Sequence, residues 1–170
     1  VSDGFLYLVL QRQLDFDSGF FPLLFVGTAA VYFLLAIPFG WLADRIGRGR
    51  VLVLGYVLLI LTYTALLREP AGVAGIAMYL ALFGAHYAAT DGVLAAMASQ
   101  HLPENARGTG LAVLGSTTGL ARFGGALLFG AAWAQWGSAV ALTIVMSGLI
   151  AMTLLAFVIL SERTTTDATA

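Results

Sequence analysis

Gly40-Trp41-Leu42-Ala43-Asp44-Arg45-Ile46-Gly47-Arg48-Gly49-Arg50 closes one long uncharged stretch and opens the next, and its reading decides the fold. Residues 18–43 carry no charge, nor do residues 51–67, yet four charged side chains fall between them. Such a segment reads as a tight turn at the edge of an apolar layer. Gly40 lets two helices approach, and Gly47 permits a turn conformation that is costly for other residues. Asp44 is placed to meet a neighbouring helix N-terminus or the nearby arginines. Charge pairs in this loop can hold one conformation and break when the helices move.

Working outward, the chain of 170 residues is 60% hydrophobic and 10% charged, whereas soluble domains hold about 25% charged residues. A soluble domain of about 150 residues buries only some 68–70% of its chain surface, too little to hide so many apolar side chains. Much of the solvent is therefore lipid. A helix needs about 20 apolar residues to cross a hydrocarbon layer of about 30 Å, and the uncharged runs predict spans at 19–41, 51–67, 71–99, 109–135 and 139–160. The break between the last two falls at Gln135, Trp136, Gly137 and Ser138. Residues 1–13 make half a span, so a sixth helix is expected whose first half precedes Val1, and the chain is expected to be a fragment. Residues 164–170 are expected to form a polar cytoplasmic tail.

Arginine placement sets the expected orientation, because cytoplasmic loops are enriched in basic residues. With the Gly40–Arg50 loop inside, Arg45, Arg48, Arg50, Arg107 and Arg163 are cytoplasmic, against Arg12 and Arg68 outside. The carboxyl terminus is then cytoplasmic, and Trp41, Trp133 and Trp136 are expected as interfacial anchors.

Several classes are excluded. A net charge of −1 provides no basic field for nucleic acid. Cysteine is absent, which removes disulfides, thiolate metal sites and cysteine nucleophiles. The two histidines, His86 and His101, are too few for a zinc cluster, and His101 reads as a solvated surface residue. No metal or cofactor is expected. Neither H-E-x-x-H nor G-x-S-x-G occurs, so the chain is not expected to be an enzyme.

Gly40, Leu42, Asp44, Arg45, Gly47 and Arg48 together resemble the signature G-x-L-A-D-R-x-G-R-[KR] of the major facilitator superfamily, which occupies the cytoplasmic loop between the second and third helices of each six-helix half. Gly49 stands where that family has a basic residue, with Arg50 next to it. Four further spans followed by a short tail match the carboxy-terminal half. The resemblance implies an all-α integral membrane six-helix bundle, helices seven to twelve, with helix seven truncated. It implies a missing amino-terminal six-helix half, helices seven, eight, ten and eleven around the transport cavity, and nine and twelve against lipid. The Gly40, Asp44, Arg45, Gly47, Arg48 and Arg50 loop would act as a cytoplasmic gate.

Asp91 and Arg122 are the charges left in hydrocarbon, each costing about 2.5–3.5 kcal/mol near a helix centre. Counted from the inner helix ends they lie about 12 and 20 Å deep, on consecutive antiparallel helices, so the long arginine can reach the carboxylate. His86, Tyr87, Thr90 and Asp91 form a polar stripe, and Thr118 lies one turn from Arg122. Two readings of Asp91 stay open at this level: a proton-coupling or substrate-binding carboxylate, and a structural pair that fixes helix register. Gly115 and Gly119 have the spacing of a close helix contact. The expected function is secondary active transport of a small solute, proton-coupled, in the plasma membrane. The rival is a half-size membrane protein acting through dimerisation or as a non-transporting partner.

Overall fold

A single apolar stretch in lipid has no water for its backbone groups, so it must satisfy them within itself, which only a helix does. The computed structural model of the chain describes residues 3–14, 17–68, 72–100 and 102–167, leaving His101 and tail residues 168–170 outside the described residues. The described residues form six α-helices: α1 (Asp3–Leu14), α2 (Phe21–Ile46), α3 (Arg48–Leu67), α4 (Gly72–Gln100), α5 (Arg107–Trp136) and α6 (Ser138–Asp167). There is no strand among the described residues. The last five are long and apolar enough to cross a membrane. The all-α membrane class expected from the uncharged runs is thus the observed one. With 12 residues, α1 rises only about 18 Å, short of a full crossing.

Two of the connections are single glycines. Gly47 has φ +97° and donates its N–H to Ala43 O at 3.1 Å, and Gly137 has φ +83° and donates to Trp133 O at 2.9 Å. Both sit in the left-handed region where a Cβ is strained, so each reverses the chain between two long helices without a loop. Helix α2 runs unbroken through Pro38 and into Asp44 and Arg45.

Helix α4 is the hub, packed against α2, α3 and α5. Its approach to α2 depends on Gly84, where a Cβ would stand 2.6 Å from Val31 Cβ and 2.9 Å from Thr28 O. Its approach to α3 depends on Gly55, where a Cβ would stand 2.6 Å from Thr90 Cγ2. Although short, α1 inserts Leu6, Tyr7, Val9 and Leu10 into the core, against Tyr79, Phe83, Phe129 and Leu142 from α4, α5 and α6. The outer faces of α2 and α5 stay apolar and open, with Ile37 82% and Leu128 75% exposed.

Three expectations are corrected. A Cβ at Gly115 or Gly119 would meet nothing within 4 Å among the described residues; their face of α5 opens into a cavity. Gly40 is equally free of close neighbours. Trp133 turns inward, its ring 5.7 Å from Phe129 and 6.0 Å from Phe5, with the Arg12 guanidinium 5.1 Å above it. Spacing places an aromatic residue near a helix end, but rotation about the helix axis decides whether it meets lipid or core.

A Gly84→Val variant is expected to lower stability by about 1–3 kcal/mol, because the atoms in the way are a β-branched side chain and backbone. Thermal unfolding of the purified protein in detergent measures this, with Gly115→Ala expected to unfold like the parent.

Candidate functional site

The polar residues of α4 occupy two faces, since each residue turns the helix by about 100°. His86 and Thr90, one turn apart, point at α3: His86 Nδ1 lies 2.9 Å from Gly55 O, and Thr90 Oγ1 donates to His86 O at 2.8 Å. Both are buried. Tyr87 and Asp91, the next pair round, point toward α1 and α5. Tyr87 OH donates to Asp3 Oδ1 at 2.6 Å, and Arg122 Nη2 donates to Asp91 Oδ1 at 3.0 Å. The expected stripe of four therefore divides, and His86 ties α4 to α3.

Arg122 comes from α5, whose first residues lie at the same end of the bundle as the last residues of α4. A helical side chain leans toward its own N-terminus, which brings the guanidinium down to Asp91 and places it 5.6 Å from the centre of the Tyr87 ring. The pair is accessible, with 57% of the Arg122 side chain and 46% of Asp91 uncovered.

Asp91 stands where two cavities meet. One, of about 250 Å³, lies among α1, α2 and α4 and is lined by Asp3, Tyr7, Thr28, Tyr32 and Tyr87 as well as Asp91. The other, of about 370 Å³, lies between α4 and α5 and is lined by Gly115, Thr118, Gly119 and Arg122 on the α5 side. Thr118 donates its hydroxyl back to Leu114 O and Gly115 O, at 3.0 and 2.9 Å, which leaves its oxygen as an acceptor facing the space. A third cavity of about 190 Å³ shares Tyr32 with the first and follows α2 and α4 down to Gly40, Asp44 and Arg48.

At that end, Arg48 makes two contacts. Its Nη2 lies 3.5 Å from Asp44 Oδ1, and its Nη1 donates to Ala96 O at 2.9 Å in the last part of α4. A cation at the carbonyl end of a helix also meets the negative pole of the helix dipole. Arg45 lies over the Trp41 ring at 3.6 Å, and Arg50 donates to Ile46 O at 3.4 Å. Arg48 thus clips the start of α3 to the end of α4, while Arg45 and Arg50 bond within their own turn.

Two participants went unread in the sequence. Asp3 accepts the Tyr87 hydroxyl and shares a cavity with Asp91. Tyr7, one turn on, has its hydroxyl 2.7 Å from Thr28 Oγ1. The signal was the Asp3–Tyr7 spacing of four on α1, too short a helix for its depth to be judged from an uncharged run.

The family model of the Major Facilitator Superfamily matches residues 3–170. No curated protein and no solved structure matches the chain.

Exchanging the charges of the α4–α5 pair separates charge contact from side-chain identity. Asp91→Arg and Arg122→Asp are each expected to reduce folded yield, and the double exchange to recover it with a coupling of about 0.5–3 kcal/mol, read from thermal unfolding of the three variants in detergent.

Proposed function

The chain belongs to the major facilitator superfamily, and from that premise we propose that it forms the carboxy-terminal half of a twelve-helix secondary transporter, which moves a small solute across the plasma membrane by alternating access. The family and the five candidate spans make it an integral, multi-pass membrane protein of a transporter family, in contact with lipid. The observation that carries the finer reading is the Asp91–Arg122 pair, half open and set where the cavities of α1, α2, α4 and α5 meet. In such folds the substrate path lies between repeats and one repeat rocks against the other. The open faces of α2 and α5 then receive the amino-terminal half.

Asp91 is the coupling carboxylate. Ionised, it holds the Arg122 guanidinium; protonated, it has no net charge with which to attract the arginine, and α5 is released from α4. Burial of either charge alone in lipid is costly, so proton binding and helix movement are linked through this contact. The Gly40–Arg50 loop faces the cytoplasm, as does the carboxyl terminus. There, Arg48 on Ala96 O and Asp44 closes the path between α2 and α4, and the loop works as a gate that breaks and reforms in each cycle.

The chain itself holds no cysteine, which allows a test that needs no known substrate. In the full-length protein, Thr118→Cys is expected to react with an impermeant maleimide from the cytoplasmic side, at a rate raised about tenfold by Arg48→Ala. A rate indifferent to Arg48 overturns the gate. Once a substrate is found, Asp91→Asn is expected to abolish accumulation driven by a pH gradient; unimpaired accumulation removes proton coupling from this residue. Asp44→Asn is expected to slow transport several-fold, and unchanged rates would detach the gate from the loop.

A further inference from the structure

The cavity among α1, α2 and α4 has a charge balance that the coupling pair does not account for. Its lining includes two carboxylates, Asp3 and Asp91, and no basic side chain. Arg122 reaches Asp91 from the α5 side, so that carboxylate has a cation. Asp3 has the Tyr87 hydroxyl and, among the described residues, no ion pair. Arg12, on the same helix, lies over the Trp133 ring instead. A positively charged ligand in this cavity would supply that missing partner.

The walls of the same cavity favour such a ligand for a second, separate reason. Tyr7, Phe25, Tyr32 and Tyr87 contribute aromatic rings from three helices. Tyr7 and Phe25 meet edge to face with centroids 4.6 Å apart, and the Tyr7 hydroxyl is engaged by Thr28. Aromatic faces attract cations within about 6 Å, most strongly where water is excluded, and quaternary ammonium groups are held by such cages in general. An anion would meet the Asp3 carboxylate, which no basic residue of the lining offsets. The volume of about 250 Å³ suits a single ammonium group with one ring or a short alkyl group, below the size of most drug-like ligands.

We propose that the cavity bounded by Asp3, Tyr7, Phe25, Tyr32 and Tyr87 is a subsite for a small monovalent organic ammonium ion. Asp3 supplies the opposing charge, the rings supply the cage, and Asp91 with Arg122 borders it. The assignment rests on the transport reading above and names the substrate class of that site.

The probe is radiolabelled benzyltrimethylammonium, whose charge is permanent, in equilibrium dialysis against the purified full-length protein in detergent. Saturable binding is expected, not displaced by the neutral carbon isostere neopentylbenzene. Asp3→Asn, which retains an acceptor for Tyr87, is expected to weaken binding about tenfold, Asp3→Glu to restore most of it, and Tyr32→Ala to weaken it in the presence of Asp3. Absence of saturable binding, or equal binding by the parent and Asp3→Asn in protein with unchanged thermal unfolding, overturns the assignment. The Thr118→Cys reactivity distinguishes the two failures: if it still responds to Arg48→Ala, the ammonium site alone falls, and if it does not, the transport reading falls with it.

Discussion

The close approach of α4 to α2 and α3 is the contact on which the remaining architecture depends. Between lipid-bathed helices the hydrophobic effect provides little attraction, so packing must come from short distances and many van der Waals contacts. Gly84 and Gly55 permit those distances, each with a neighbour where a Cβ would need to stand. The short separation also lets His86 bond Gly55 O across the α3–α4 contact. Once α4 is anchored by α2 and α3, its remaining side is left to α1 and α5, and the cavity of about 370 Å³ opens there, between α4 and α5.

The same helix therefore serves two ends at a spacing of one residue. His86 and Thr90 contribute to packing against α3, whereas Tyr87 and Asp91 face α1 and α5. Such a division is what the proposed transport cycle requires, with α3 and α4 staying together while α5 shifts. The polar contacts differ accordingly. His86 is buried and bonded to backbone, and the Asp91–Arg122 pair is half open. A buried contact resists rearrangement, and an accessible charge pair can exchange partners with solvent, protons or a ligand.

At the Gly47 end, one arginine does what the density of charge in the loop had suggested in general terms. Arg48 bridges Asp44 and the carbonyl of Ala96, linking the second, third and fourth helices of the chain. Arg45 and Arg50 were grouped with it by sequence, yet their contacts are with Trp41 and Ile46 of the same helix hairpin. A motif marks a set of residues, and the helix phase separates those that join elements from those that finish a turn.

Uncharged length and the cost of unsatisfied backbone in lipid were sufficient to establish the all-α membrane class, because both depend on composition along the chain and not on what lies beside it. The single-glycine reversal at Gly47 was legible for the same reason, and so was the reach of Arg122 to Asp91, which follows from helix rise and antiparallel succession. Rotation about each helix axis was not legible in a chain so apolar all round. Hydrophobicity here has no polar face to indicate an inside. Only tertiary packing could send Trp133 into the core, open Gly115 and Gly119 onto a cavity, turn His86 toward α3, and bring Asp3 from a half-length helix against Tyr87. In lipid the apolar pattern records the solvent, and side-chain volume at each contact decides which face turns inward.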